Sequence, residues 1–105
     1  MALRKPDDLW GSYRTGLAGF IAALERAEDE GKFNEPENFA SLLNLSLTRF
    51  GLAASELARD EEISKGAISK WMHGHTLPPA PTRKTVVNWI KRKAQEQLQQ
   101  LNNAR

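Results

Sequence analysis

The chain has 105 residues, a formal net charge of +2 and no cysteine. This length suits one small domain with a single core, and the lack of cysteine excludes disulfides, thiol nucleophiles and thiolate metal sites. No segment approaches the ~20 apolar residues that a membrane span needs, and the first residues lack the apolar core of a signal peptide, so we expect no membrane contact.

Charge is distributed unevenly along the chain. Residues 1–62 contain seven Lys and Arg against twelve Asp and Glu, whereas residues 63–105 contain eight against one. A basic half of this kind is typical of a protein that binds nucleic acid with one face. The alternative is a basic tail on an ordinary helical protein.

The first predicted element is a helix that Asp7 or Asp8 caps and that ends near Gly31. Its apolar residues recur at steps of three and four and form one stripe: Trp10, Tyr13, Leu17, Phe20, Leu24 and Ala27. Leu9 and Ile21 lie beside this stripe. Three large aromatic residues on one stripe need burial. We expect this helix to pack on its own domain. A dimer interface made by this stripe, or by Leu98 and Leu101, is the alternative.

A second helix is predicted from Asn34, its N-cap, to Gly51. Pro36 suits the first turn, and Glu37 is placed to reach back to the cap. The apolar residues of this helix are Phe39, Leu42, Leu43, Leu45, Leu47 and Phe50.

Residues 54–78 predict two short helices around a tight turn, and the second of them is amphipathic. At about 100° per residue, one side of this helix collects Ala67, Ile68 and Trp71, with Met72 at the edge. The opposite side collects Lys65, Gly66, Ser69, Lys70 and His73. No acid occurs between Lys65 and Thr82, whereas a face selected for solubility alone mixes charge signs. This face therefore suits phosphates and base edges.

The segment from about Pro36 to Lys93 resembles the lambda-repressor-like (Cro/repressor, XRE-type) helix-turn-helix domain. The matching residues are Leu57-Ala58, Ile63, Ile68 and the spacing Trp71-x-x-Gly74-x-x-x-Pro78. The resemblance implies an all-α bundle of about five helices, with the helix-turn-helix domain and a long C-terminal helix in residues 34–105. Residues 1–33 then form an additional N-terminal helix, packed on the domain or at a dimer interface.

Two positions depart from the family pattern. Glu62 stands at the turn position that the family usually gives to Gly, so it either adopts a left-handed backbone or forces another turn geometry. Ala53-Ala54 stand where the family usually has a Thr or Ser cap followed by Gln, and Ser55 is a candidate for a shifted cap. These departures affect the phosphate contacts of that helix rather than the fold.

The last helix is predicted to follow Leu77–Pro81, an extended connector that we expect not to be helical. Thr82 is its predicted cap and Gln100 its approximate end, with an apolar side made of Val86, Val87, Ile90, Ala94, Leu98 and Leu101. Arg83 and Lys84 lie in the first turn, where the helix dipole disfavours cations. We interpret them as a phosphate clamp; the alternative is two solvated surface cations.

The resemblance implies a sequence-specific DNA-binding transcriptional regulator, a repressor, that acts in the cytoplasm as a homodimer on double-stranded DNA. Helix 64–73 would enter the major groove. The predicted DNA contacts are Ser64, Lys65, Gly66, Ser69, Lys70, His73, Arg83 and Lys84. For His73, a phosphate contact and a merely solvated side chain remain equal alternatives. No cofactor is expected.

Catalysis and metal binding have little support in the sequence. No serine has a histidine partner at a known motif, and Asp60, Glu61 and Glu62 resemble a solvated helix end. His73-x-His75 lacks the third ligand of a metal site. We therefore expect neither an enzyme nor a metalloprotein.

Two other functions remain open. In the first, the chain is the antitoxin of a toxin–antitoxin pair, which represses its own operon and binds a small protein partner through the N-terminal helix. In the second, it is a protein-interaction module that kept the fold and lost DNA binding, which Glu62 and Ala53-Ala54 favour.

Overall fold

Helical periodicity in the sequence corresponds to five α-helices in the computed structural model, which describes residues 6–48 and 50–103, with side chains from residue 15 onward. The helices are α1 (Pro6–Asp29), α2 (Pro36–Thr48), α3 (Ala54–Glu61), α4 (Lys65–Met72) and α5 (Ala80–Asn103). A single 3-10 turn, Lys32–Asn34, lies between α1 and α2. No strand occurs in the described residues, so the predicted all-α class with about five helices is confirmed.

One hydrophobic core joins the five helices. Helix α1 packs along α5, α2 packs on α4, and α3 contacts both α4 and α5. Leu17, Leu43, Leu57 and Ile90 are completely buried in this core. Phe20 of α1 stacks against Phe50 with ring centroids 4.6 Å apart. Helix α1 therefore contributes to the same core as the other helices. Trp10 and Tyr13 lie outside the residues whose side chains are described.

The first two helices differ slightly from their predicted bounds. Helix α1 begins at Pro6, so Asp7 and Asp8 lie in its first turn, and Gly31 follows its end with a φ of +73°. Asn34 is not the cap of α2, because it belongs to the 3-10 turn. The carbonyl of Glu35 accepts from the Phe39 amide at 3.1 Å, which puts Glu35 at the cap position. The predicted cap at Asn34 is therefore wrong.

The start of α5 also corrects the prediction. The Arg83 amide donates to the Pro79 carbonyl at 2.8 Å, so the helix begins at Ala80 and includes Pro81. A proline is tolerated in the first helical turn because its missing N–H would have no partner there. The expectation that residues 77–81 are non-helical is thus wrong at its C-terminal end, and Thr82 lies inside the helix rather than at its cap. The helix runs past Gln100 to Asn103.

Helix α3 and helix α5 are joined by polar contacts that the sequence analysis missed. Trp89 of α5 is 1% exposed, and its indole Nε1 donates to Oδ2 of Asp60 at 3.0 Å. Lys93 lies 3.8 Å from the same oxygen, and Arg92 lies 3.7 Å from Glu61. The predicted solvated helix end is confirmed for Asp60 and Glu62, which are exposed, but the prediction does not include the contacts that Asp60 and Glu61 make with α5.

None of the helices in residues 6–48 and 50–103 combines the length and the apolar character that crossing a membrane requires.

Candidate nucleic-acid interface

Helix α4 is anchored to the core by its inner side. Ile68 is 1% exposed and Trp71 is 8% exposed, and the Trp71 ring meets the Phe39 ring edge-on at 6.1 Å. Ala67, Ile63 and Met72 are partly buried against the same core. The predicted division of this helix into two sides is confirmed by burial, and these anchors hold its outer side in one orientation.

Both ends of α4 are capped. At the start, the Ser64 hydroxyl accepts from the Ala67 amide at 3.1 Å, as an N-cap residue does. At the end, the side-chain amide of Asn44 on α2 donates to the carbonyls of Met72 at 3.0 Å and Ala40 at 2.9 Å. Asn44 thus ties the last turn of α4 to α2. The Ser64 hydroxyl has a structural role in this arrangement.

Gly74 follows the helix with a φ of +81°, the left-handed conformation that glycine commonly adopts just after a helix. A Cβ at this position would lie 3.7 Å from the Ala40 Cβ, which is an ordinary van der Waals contact. Glycine is therefore favoured by the left-handed backbone and not by a lack of space for a side chain. The chain then leaves α4 towards the prolines that precede α5.

The outer side of α4 consists of Lys65, Gly66, Ser69, Lys70 and His73, and we call it the exposed face of α4. All five residues are exposed. Neither lysine forms an ion pair with the described part of the chain. This face therefore offers two ammonium groups and a hydroxyl to an external partner, without an acid among them.

His73 has one ring nitrogen occupied within the helix. Its Nδ1 lies 2.7 Å from the Ser69 carbonyl, which can only accept, so Nδ1 carries the proton. Nε2 is left for another partner. This geometry does not distinguish the phosphate contact from the solvated histidine.

The turn between α3 and α4 shows how the chain accommodates Glu62. This residue is left-handed, with φ 55° and ψ 45°, and is the one non-glycine with positive φ in the described residues. The Ile63 amide donates to the Ala58 carbonyl at 3.0 Å and closes the helix end. At the start of α3, Ala53 occupies the cap position without a side-chain hydrogen bond, and Ser55 lies inside the helix. The candidate cap at Ser55 is therefore wrong.

Arg83 and Lys84 line a groove between the end of α1 and the start of α5, to which no residue of α4 contributes. Arg83 is half-buried, and its Nη1 donates to the Pro78 carbonyl at 3.2 Å. The predicted contacts therefore fall into two groups: the start and exposed face of α4, and the first turn of α5.

The carboxyl group of Asp60 has a lowered pKa. The hydrogen bond from Trp89 lowers the pKa of this carboxyl below its ordinary value, and Arg59 and Lys93 lower it further, while desolvation opposes them. The indole N–H of Trp89 and the two cations therefore favour the charged form of this carboxyl group. The role of Asp60 is structural, because its carboxylate joins α3 to α5 through Trp89.

The sequence analysis missed Asn44 as well as Trp89. Asn44 is an exposed residue of α2 that lies four positions after the buried Ala40. An exposed asparagine gives no sequence signal of a contact, and its partner, the Met72 carbonyl, is 28 positions away.

In the part of the chain that the structure describes, no three His, Asp or Glu side chains are grouped as a metal site would need.

The chain matches no protein-family model, no curated protein and no solved structure.

Proposed function

We propose that the chain is a sequence-specific DNA-binding transcriptional regulator, a repressor, built on a lambda-repressor-like helix-turn-helix domain. In this proposal, α3 and α4 form the helix-turn-helix pair and α4 enters the major groove of double-stranded DNA. Such a helix reads base edges with the residues of its outer side.

The observation that carries the proposal is the exposed face of α4. Lys65 and Lys70 project from a short helix whose inner residues are buried and whose two ends are capped. Two unpaired ammonium groups on a rigid helix match a polyanionic partner, and lysine also reaches O6 and N7 of guanine. Ser69 lies between them and suits either a base edge or a phosphate.

Arg83 and Lys84 are proposed to contact the phosphate backbone at the start of α5. The positive end of the helix dipole adds to their charge. Such contacts position the protein on the duplex without reading sequence. Lys91 is a poorer candidate because it is ion-paired with Glu28 at 3.2 Å.

We also propose that the chain binds DNA as a homodimer. A two-fold dimer would present two copies of α4 to successive major grooves about 34 Å apart, one turn of DNA. The operator would then have two half-sites related by a two-fold axis.

Selection from a pool of random DNA duplexes tests the proposal, because it requires no prior operator. The purified chain should enrich a two-fold motif with half-sites about one helical turn apart. The double variant Lys65→Gln/Lys70→Gln should enrich no motif, and Lys32→Gln, an exposed lysine on the 3-10 turn, should enrich the same motif as the wild type. A wild-type pool without an enriched motif would refute the proposal.

A second candidate function is an antitoxin that also binds a small protein partner. An apolar groove of about 260 Å³ between α1 and α2 favours it. Phe20, Leu42 and Leu45 line this groove, and Leu45 is 37% exposed, whereas most leucines of the described chain are buried. Native mass spectrometry of the chain co-expressed with its neighbouring gene tests this candidate. A stoichiometric heteromeric complex that Leu45→Lys abolishes would support it.

A further inference from the structure

A groove of about 520 Å³ lies where the end of α1, the 3-10 turn and the start of α5 meet. The exposed face of α4 contributes none of its lining. The groove is therefore a separate feature of the molecule.

The two helices that line the groove bring opposite charges to it. Asp29, the last residue of α1, lines it from one side, and Arg83 and Lys84, in the first turn of α5, line it from the other. The helix dipoles add to this polarity, because the C-terminal end of α1 is negative and the N-terminal end of α5 is positive.

These charges do not neutralise one another across the groove. Within the described residues, Asp29 and Lys84 form no ion pair or hydrogen bond with their side chains. Lys91 and Glu28, which also line the groove, are already paired at 3.2 Å. An acid and a base that face one groove without closing on each other fit a ligand that carries both charges.

The remaining lining residues add apolar surface and hydrogen-bonding groups. Phe33 is partly buried and supplies the main apolar surface, since Val87 is only 2% exposed, and the side-chain amides of Asn34 and Asn88 supply donors and acceptors. Neither amide is hydrogen-bonded within the described residues. The lining is therefore mostly polar and charged, with one aromatic side chain, which suits a small charged ligand more than an apolar one.

We propose that this groove binds a small zwitterion with an apolar side chain, a free amino acid or a dipeptide. The carboxylate of the ligand contacts Arg83 and Lys84, and its ammonium group contacts Asp29. The apolar side chain lies on Phe33. This binding does not depend on DNA.

Isothermal titration calorimetry of the full chain without DNA tests the proposal, with four probes. Leucine and leucyl-leucine carry both charges and the apolar side chain, whereas 4-methylpentanoate lacks the ammonium group and 3-methylbutylamine lacks the carboxylate. At least one zwitterion should bind saturably and raise Tm, and neither singly charged analogue should match it. Absence of binding by both zwitterions, or equal binding of 4-methylpentanoate, would overturn the proposal.

Two variants test whether the ligand binds in the groove. Asp29→Asn and Lys84→Gln remove one charge each from exposed side chains, and each should weaken binding of the zwitterion at least about tenfold, as expected for the loss of a charged partner. Glu25→Gln and Lys32→Gln are the matched controls, because both residues are exposed and neither lines the groove. Wild-type affinity in both groove variants would overturn the assignment.

Because Arg83 and Lys84 are also the proposed phosphate contacts, the ligand is expected to lower the affinity for DNA. This regulatory consequence rests on the proposed function, whereas the calorimetry does not. Ligand binding without any DNA binding would contradict the proposed function alone. DNA binding without any ligand binding would contradict the groove proposal alone.

Discussion

The indole Nε1 of Trp89 donates to Oδ2 of Asp60 at 3.0 Å and so joins the middle of α5 to the end of α3. The indole is almost completely buried, so its N–H has no access to bulk water and depends on this carboxylate. Helix α3 precedes the turn at Glu62 and thereby positions α4. The contact therefore connects the stability of α5 to the orientation of the exposed face of α4.

This contact predicts that the stability of the fold depends on pH in the acidic range. Because the pKa of Asp60 is lower in the folded chain than in the unfolded one, its stabilising contribution is present above the unfolded value and is lost as pH falls through the folded value. Asp60→Asn keeps an acceptor for Trp89 but loses the charge. We expect its Tm to lie below that of the wild type at pH 7 and to converge with it as the pH falls through the lowered folded-state pKa of Asp60. Thermal melts from pH 7 to pH 2 measure this, and a constant difference across the range would contradict it.

Trp71→Ala should destabilise the fold by about 3–5 kcal/mol, the range typical of truncating a buried aromatic residue. Trp71 is 8% exposed and contacts Phe39, so its loss leaves a cavity between α2 and α4. Trp71→Phe fills part of that space and should cost less. Urea denaturation measures both variants. A Trp71→Ala protein with the wild-type midpoint would show that this tryptophan is not an anchor.

Glu62→Gly should raise stability. A left-handed backbone costs a residue with a Cβ about 1–2 kcal/mol, whereas glycine adopts it freely at some cost in unfolded-state entropy. With φ at 55° and an exposed side chain, Glu62 has the strain and no compensating ion pair in the described residues. We expect a rise in Tm of a few degrees. Glu62→Ala, which keeps the Cβ, is the control, and a lower Tm for the glycine variant would contradict the strain argument.

Lys70→Ala should lose affinity for the operator and discrimination between operator and other DNA, with Tm unchanged. Lys70 is exposed and has no partner among the described residues, so its removal leaves the core intact. Loss of a single phosphate contact would reduce the salt slope by about one, whereas loss of a base contact would cost about 1–3 kcal/mol at one base position. Fluorescence anisotropy with operator and scrambled duplexes separates these cases. Binding equal to that of the wild type would remove Lys70 from the interface.

The sequence predicts much of the fold because most of its signals are local. The apolar periodicity predicts five helices, and the predicted helix 64–73 agrees with α4, Lys65–Met72, to within one residue at each end. The predicted start of α5 at Thr82 is too late, because the helix already includes Pro81. A proline in the first turn does not break a helix, since its missing N–H would have no partner there. Propensity alone does not decide such a boundary.

Contacts between distant residues were not predictable in the same way. Trp89 and Asp60 are 29 positions apart, and Asn44 and Met72 are 28 apart. Each pair depends on how the helices pack and not on a periodic pattern. The charge of the first turn of α5 is visible in the sequence, but the groove that Arg83 and Lys84 line depends on the packing of α1 against α5.

The most direct test of the central claim is binding of the purified chain to DNA from its own upstream region, titrated across salt concentration. Our account predicts tight binding that discriminates against competitor DNA and weakens steeply with salt, since several lysine and arginine contacts would release counterions. Weak binding that is equal for every sequence would contradict the account, and would leave the helical fold with a function that depends on a protein partner.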